Sequence, residues 1–197
     1  MLNTRNLLLV SAAAAATLAL SGCAGGMSGM DMSGSDAPAD SKTSAGTFNG
    51  ADVTFAQMMI PHHEQAVEMS ETLLAEDGID DRVRDLATRI KDAQQPEIDQ
   101  LKGMLSDWGQ EESDMGGMNH GDGMMSDDDM TALEDATGDD AARLFLEQMT
   151  VHHEGAIEMA QAEAADGENA EATKLAETII AAQTDEIAVM KEMLADF

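Results

Sequence analysis

The sequence predicts an all-α protein, a four-helix bundle built from a duplicated helical hairpin. Residues 58–69 recur as residues 148–159, displaced by 90 positions without a gap. A second segment recurs at a displacement of 89, so that Gln94 corresponds to Gln183. The composition is 43% hydrophobic but only 3% aromatic, which is typical of a helical core of Ala, Leu, Ile and Met. Two similar halves, each with two helical segments, therefore form one bundle.

Apolar residues at helical spacing predict four long helices. We expect them over residues of about 52–76, 81–108, 140–165 and 168–197. Asp52 is the expected N-cap of the first helix, and Pro61 is expected to kink it. Ser126 is expected to cap a short helix anchored by Met130 and Leu133. At 1.5 Å per residue each long helix is roughly 38 Å in length, enough to bury one continuous core.

The bundle as a whole is expected over residues 50–197. Its hairpins fall at 50–108 and 139–197, and a Met-rich linker at 109–138 joins them. Ahead of the bundle, residues 23–49 are rich in Gly, Ser, Asp and Met without an apolar period, which indicates a flexible tether.

The N-terminal segment resembles a lipoprotein signal. Residues 1–22 have Arg5 in a positive region followed by an apolar run, as in a secretory signal peptide. The run ends in Leu20-Ser21-Gly22-Cys23, which resembles a bacterial lipobox, in which Cys23 is lipidated and becomes the first mature residue. This predicts a protein on the extracytoplasmic face of the cell membrane, held there by acyl chains. The alternative is an ordinary signal peptide with a chance cysteine, and the apolar run is too short to favour a transmembrane helix.

The charge and the cysteine count exclude several partners. Acidic residues outnumber basic ones 39 to 10, giving a net charge of −29, so the positive surface that binds nucleic acid or anionic lipid is missing. A cationic partner fits better, although an acidic surface also serves solubility alone. Cys23 is the only cysteine, which excludes a disulfide within the chain and a thiolate metal site.

The repeated stretch carries two histidine doublets in which thioethers and imidazoles share one helix face. On a helix, the side chains of Met59, His62, His63 and Met69 fall within an arc of roughly 120°. The corresponding residues of the second half are Met149, His152, His153 and Met159. These are candidate ligands of a soft metal ion. The repeated glutamates Glu64, Glu68, Glu154 and Glu158 are expected on the opposite, solvated side of the helices. The alternative for the outer methionines, Met69 and Met159, is packing in the core.

A polar layer is expected where the two hairpins present further polar side chains at the height of the doublets. If the first hairpin turns near residue 78, His62 lies opposite Gln94 and Met59 opposite Glu97. The same reasoning places Gln183 and Glu186 opposite the second doublet. Glutamine and glutamate on an apolar stripe are costly unless they are paired. They either belong to a metal site or close a hydrogen-bond network in which Glu97 and Glu186 fix the imidazoles.

The ligand types favour copper. Thioether with imidazole selects Cu(I) or Ag(I), whereas iron, manganese and calcium prefer carboxylate oxygen. Methionines in low-complexity sequence have no core to fill, which makes the linker a candidate for auxiliary, low-affinity capture by Met115, Met118, His120, Met124 and Met125. The alternative for these methionines is a sink for oxidants.

The motif Met-x-x-His-His-x-x-Ala-x-x-Met occurs in both halves and is followed in each by Gln-x-x-Glu-Ile. This pattern resembles the domain of unknown function 305 family over residues 52–197. The resemblance implies a ferritin-like four-helix bundle, often secreted or lipid-anchored, with copper-binding members implicated in copper tolerance. It also implies that the methionines and histidines of the two motifs are the ligands. The Glu-x-x-His motif of di-iron proteins is absent, which argues against iron.

These features together predict an extracytoplasmic copper-binding lipoprotein that buffers the metal, confers tolerance or passes it to a copper-handling protein. No catalytic residues are expected, because no nucleophile with a base and no phosphate loop is present. Two alternatives stay open. One is a di-metal oxidase that uses Glu97, Glu186, His62 and His152, and the other is a metal-free interaction module of the cell envelope.

Overall fold

The structure is a computed structural model that describes residues 46–112 and 123–197. The helices of these two ranges are α1 (Gly50–Ala75), α2 (Asp81–Trp108), α3 (Asp127–Asp135), α4 (Gly138–Asp166) and α5 (Ala170–Leu194). The predicted all-α fold is confirmed, with four long helices and the short helix α3 between the hairpins. The signal segment, Cys23, most of the tether, Met115, Met118 and His120 lie outside the described residues.

The first helix begins with a capping box, and here the predicted cap residue was wrong. Asn49 is the N-cap of α1, and its side chain accepts hydrogen bonds from the backbone N–H groups of Ala51 and Asp52. Asp52 lies one turn inside and its carboxylate accepts the N–H of Asn49 at 2.6 Å. The sequence offers two cap residues three positions apart, and the box uses both of them. The helix continues without interruption to Ala75, with Pro61 inside it.

Each hairpin packs its two helices together, and the hairpins meet through α1 and α4. The side-chain amide of Asn49 donates to the carbonyl of Asp166 at 2.8 Å, and the carboxylate of Asp52 accepts the N–H of Asn169 at 2.9 Å. The start of α1 therefore lies against the end of α4, so these two helices are antiparallel. Their midpoints, which carry the histidine doublets, lie at the same height.

Two apolar clusters form the core, one at each end of the bundle. At the α3 end, the cluster includes Met69, Leu73 and Phe145, and α3 adds Leu133, which is 1% exposed. At the other end, which we call the cavity end, the cluster is built from Phe55, Ile98, Leu101, Trp108, Ala160 and Ile179. Burying a leucine or phenylalanine side chain contributes about 1.5–3 kcal/mol, so both clusters stabilise the bundle.

Met125 belongs to the core, so the expectation that the linker methionines have no core to fill is wrong for this residue. It is 7% exposed and lies in the cluster of the α3 end. The Gln65 side chain fixes its backbone, donating to the Met125 carbonyl at 2.9 Å and accepting the Met125 N–H at 2.7 Å. Just before it, Gly123 has a φ of 82° and lies so close to Val151 and Gly155 that a Cβ atom would collide with them.

None of the helices in the two described ranges combines the length and the apolar character that a membrane span needs.

Candidate metal centre

The two histidine doublets meet in the middle of the bundle. The antiparallel contact of α1 and α4 brings the rings of His62 and His152 to a centroid distance of 3.7 Å, with an angle of 42° between the ring planes. All four histidines of the doublets are buried, with exposed fractions of 1% or less. The doublets therefore form one histidine layer: His62, His63, His152 and His153.

A glutamate from the neighbouring helix holds the second histidine of each doublet. The Nε2 atom of His63 lies 2.8 Å from Oε2 of Glu97, and the Nε2 atom of His153 lies 2.8 Å from Oε2 of Glu186. A carboxylate accepts, so Nε2 carries the proton and donates. In a neutral imidazole the lone pair then lies on Nδ1. Both hairpins thus present the same tautomer.

The Nδ1 atoms of these two histidines are buried without a hydrogen-bond partner among the described residues. A buried lone pair without a donor costs free energy, and a metal ion would relieve this cost. The glutamates are placed as outer partners that orient metal-binding imidazoles in many metalloproteins. The glutamate contacts are those expected of the predicted hydrogen-bond network, and the two unpaired Nδ1 atoms would also allow the histidines to bind a metal.

The register predicted from Cα heights does not identify the residue that each glutamate contacts. His63, not Met59, lies at the carboxylate of Glu97, and the second hairpin is shifted in the same way. The prediction compared Cα heights only. Helical side chains lean toward the N-terminus of their own helix, which for Glu97 is the direction from Met59 toward His63. This lean carries its carboxylate from the height of Met59 to that of His63.

Two glutamines complete the polar layer. Gln94 and Gln183 are both buried, each 3% exposed. Three of their side-chain atoms have no hydrogen-bond partner in the described part of the chain. They are Oε1 and Nε2 of Gln94 and Oε1 of Gln183. The layer therefore holds more polar groups than it satisfies within itself, which is costly unless a ligand is bound.

The four candidate methionines have three different environments. Met59 and Met149 are fully buried on opposite sides of the histidine layer, one in each core cluster. Met69 is fully buried in the cluster of the α3 end, where it packs. Met159, its counterpart, is half-buried and lines a cavity at the other end. Met59 and Met149 therefore lie beside the histidine layer, whereas Met159 lies at the cavity and not in the core.

The surroundings of His152 keep its imidazole neutral. Burial lowers the pKa of His152 well below its ordinary value, and the charges that His62, His153 and His63 would carry lower it further. Neutral imidazole is the form that binds metal. Within residues 46–112 and 123–197, no group of three or more His, Cys, Asp or Glu side chains is arranged to hold an ion on its own. A site in this layer therefore needs thioether sulfur or a shift of the rings.

Outside the layer, the repeated outer glutamates are exposed as expected and pair with lysines. Glu64 bonds Lys102 at 2.7 Å, and Glu154 bonds Lys191 at 2.9 Å. The two ion pairs occupy corresponding positions in the two hairpins. The duplication therefore extends from the core to the surface.

Sequence reasoning missed one polar pair, Asp52 with Glu163. Both residues are buried, and they lie where α1 begins and α4 ends. Burial raises the pKa of Glu163 to about 8, and the neighbouring Asp52 carboxylate contributes through a shared hydrogen bond and its charge. Burial alone would raise the pKa of Asp52, but backbone N–H donors from Asn49 and Asn169 lower it overall. The available signal was the position of Glu163, which continues the apolar heptad of Met149 and Ala156.

The fold and this layer define a class of protein: a duplicated helical hairpin with buried, carboxylate-oriented histidine doublets. The family described as Domain of unknown function (DUF305) matches residues 52–194. The chain belongs to this family.

Several solved structures are similar to this chain in fold and sequence. A DUF305 fragment from Deinococcus radiodurans has a TM-score of 0.70 and 29% identity, covering 76% of this chain and 98% of its own. A DUF305 protein from Streptomyces coelicolor, provisionally named a secreted protein, has a TM-score of 0.68 and 33% identity, covering 74% and 93%. CopM in its Cu(I)-bound form has a TM-score of 0.64 and 29% identity, covering 74% and 96%. CopM is also known in Cu(II)-bound and Ag-bound forms. Among curated proteins, none matches the chain.

Proposed function

We propose that the protein binds copper as Cu(I), and Ag(I) in its place, at the histidine layer. The observation that carries the proposal is the meeting of two buried doublets whose His63 and His153 each keep a free Nδ1 lone pair. The ligands would be these histidines with His62 and His152, and the thioethers of Met59 and Met149. Iron is not favoured, since the carboxylates of Glu97 and Glu186 are engaged by the histidines.

The ligand chemistry supports copper over harder ions. Imidazole and thioether bind soft ions, whereas calcium and magnesium need several oxygen ligands. CopM, which is similar over most of its length, binds Cu(I), Cu(II) and silver. The same metals are therefore the first to test on this chain.

The role that follows is binding and release, without turnover. Glu97 and Glu186 hold the rings of His63 and His153 so that Nδ1 points away from the carboxylate. Burial of the layer excludes water, which protects a bound Cu(I) from exchange with solvent ligands. An ion that enters must pass between the helices, so small shifts of α1 against α4 would control release.

The location proposed for this function is the extracytoplasmic face of the cell membrane. The lipobox-like segment ending in Cys23 supports a lipid anchor, and a relative named as a secreted protein agrees with export. A net charge of −29 attracts cations and favours a basic copper-handling partner over nucleic acid. We therefore propose buffering, tolerance or transfer of copper outside the cytoplasm.

A competition titration with Cu(I) under anaerobic, reducing conditions tests the proposal. The protein carries Cys23→Ser, so that no thiol competes for the metal. In the variant His63→Gln with His153→Gln, the glutamine amide can still donate to Glu97 and Glu186, but the imidazole lone pairs are gone. We expect the parent to bind tightly and this variant to lose most of that affinity.

The matched control is Glu64→Gln with Glu154→Gln, which changes the residues next to the doublets on the exposed side. It should bind like the parent. Equal affinity in the histidine variant and the parent, with both folded by circular dichroism, would contradict a metal site in the layer.

A further inference from the structure

A short segment just before α3 lies across the contact between α1 and α4. It consists of residues 123–125, which we call the strap. On the α1 side, the Gln65 side chain donates to the Met125 carbonyl at 2.9 Å and accepts the Met125 N–H at 2.7 Å. On the α4 side, Gly123 lies so close to Val151 that an added Cβ atom would come within 2.7 Å of the carbonyl oxygen. The strap therefore touches both helices that carry the histidine doublets.

Both points of contact lie on the helical turns that hold the doublets. Gln65 follows His62 by three residues, and residues three apart are neighbours on the surface of a helix. On α4, the turn that begins at Val151 contains both His152 and His153. The rings of His62 and His152 meet between these two helices at a centroid distance of 3.7 Å. The strap therefore crosses from α1 to α4 at the height of this ring pair.

The strap lies on the side of the histidine layer that faces away from the two glutamates. At about 100° per residue, His63 points about 100° from His62 in one direction, and Gln65 about 60° in the other. His63 reaches Glu97 of α2, so Gln65 lies at the opposite edge of the contact between α1 and α4. The second doublet reaches Glu186 of α5 in the same way. One side of the layer is therefore flanked by α2 and α5, and the other side by the strap.

The internal repeat shows that the two helices have different roles at the strap. Gln65 and Gly155 are counterparts, displaced by 90 residues as the doublets are. The glutamine on α1 makes the two hydrogen bonds that hold the strap. The glycine on α4 has no side chain, and a Cβ atom added to Gly123 would lie only 3.0 Å from its Cα atom. At the same position of the repeat, α1 therefore binds the strap and α4 leaves room for it.

We propose that the strap is a gate of the histidine layer, and that Cu(I) or Ag(I) enters and leaves between α1 and α4 when the strap detaches from Gln65. This inference rests on the metal binding proposed above and adds the route of the ion and its control. Gln65 is half-buried, so water competes for its two hydrogen bonds to the strap. A segment held in this way opens more readily than the packed helices beneath it.

The test is the rate at which bound copper leaves the protein. The full-length protein carries Cys23→Ser and is loaded with one equivalent of Cu(I). An excess of a chromophoric Cu(I) chelator then captures the released ion in a stopped-flow instrument. Gln65→Ala removes both hydrogen bonds to the strap, and a loss of two ordinary hydrogen bonds should make release at least about fivefold faster. The equilibrium affinity should stay close to that of the parent, because a gate speeds entry and release alike.

A second variant opens the strap from the α4 side. Gly123 has a φ of 82°, and an added Cβ atom would collide with α4, so Gly123→Ala should also speed release. The matched control is Gln57→Ala, which removes a glutamine bond of 2.8 Å to the carbonyl of Glu111, near the start of the linker. Gln57 lies about two turns from Gln65 along α1, so this control should release copper at the parental rate.

Three results would overturn the gate. The first is an unchanged release rate in either strap variant, which would favour entry from the other side, where a cavity between α2 and α5 is lined by Glu97. The second is a loss of affinity as large as the gain in release rate, because the strap would then hold the ion and not gate it. The third is an equally fast release in Gln57→Ala.

The metal site itself has a separate readout. If His63→Gln with His153→Gln binds Cu(I) as tightly as the parent, the histidine layer is not the site, whatever the strap variants do. If that variant loses affinity while the strap variants release copper at the parental rate, the site stands and only the gate is wrong.

Discussion

The two ends of the bundle are related by the internal repeat, yet they use the same positions differently. At the α3 end, Leu73 is packed in the core and Gln148 is bonded to α3. At the cavity end, Glu163 and Met58 stand at these positions and line a cavity. Between the ends, the histidine layer keeps the same residues and the same glutamate contacts in both halves.

This difference separates the part of the repeat that is the same in both halves from the parts in which the halves differ. The residues of the histidine layer are the same in both halves, as expected if each half supplies half of the ligands of the proposed metal site. At the two ends, by contrast, the corresponding positions hold different residues. One end is therefore packed core at these positions, and the other end has a cavity.

The largest loss of stability is expected on substitution of Leu133, the buried residue that anchors α3. Leu133→Ala removes a side chain that is 1% exposed, so we expect a loss of about 2–5 kcal/mol in the free energy of unfolding. Urea denaturation measures it. Val151→Ala, at a residue that is 50% exposed, serves as the control and should change stability by less than about 0.5 kcal/mol. A loss below that control value would mean that α3 does not close this end.

The next prediction compares the contributions of the two halves to the histidine layer. Glu97→Ala and Glu186→Ala each remove the carboxylate that orients one histidine, so each should weaken Cu(I) binding by about 10–100-fold. Competition titration of the two variants side by side measures both losses. Similar losses are expected from the matched contacts. A loss in one variant only would show that the metal uses one half of the layer.

A third effect, on the pH dependence of stability, distinguishes the two ends. The pKa of Glu163 is raised to about 8 in the folded protein, from an ordinary value of 4.5. Between these values the folded protein holds a proton that the unfolded chain has released. The free energy of unfolding should therefore fall as the pH rises through this range, by at most about 1.4 kcal/mol per pH unit.

Urea denaturation of the metal-free protein from about pH 5 to pH 8 measures this slope. Glu163→Leu places the residue of the α3 end at the cavity end, and it should remove the contribution of Glu163 to the slope. An unchanged slope in this variant would assign the pH dependence to another group.

The smallest effect is expected at the surface pairs that the two hairpins share. Glu64→Gln and Glu154→Gln each break an exposed ion pair with a lysine, and each should cost less than about 1 kcal/mol. Thermal unfolding at low and at high salt measures the loss, which should shrink as salt screens the charges. A larger loss in either variant would mean that the pair supports more than the surface.

Burial of the layer could be predicted from the sequence, because helical periodicity decides which residues face the core. The stripe through Met59, His62 and Ala66 is buried as the spacing predicts. The partners within the layer could not be predicted in the same way. Which glutamate meets which histidine depends on the lean and length of side chains, and Cα heights contain neither.

The remaining misses involve contacts between distant parts of the chain. Met125 lies in a low-complexity segment, and its backbone bonds to Gln65 on α1 hold it against the core. Asp52 and Glu163 meet because α1 and α4 are antiparallel neighbours, and the repeat alone does not fix how two hairpins dock. Local sequence patterns predict the helices and their buried faces. The packing of the two hairpins against each other determines which of these faces come together.

The claim that the two doublets form one copper site has a direct test. Cu(I) is titrated against two variants, His62→Gln with His63→Gln and His152→Gln with His153→Gln. If the doublets share one site, each variant should lose tight binding entirely. If each variant instead keeps half of the bound copper at the affinity of the parent, the doublets are two separate sites and the account of a shared layer is wrong.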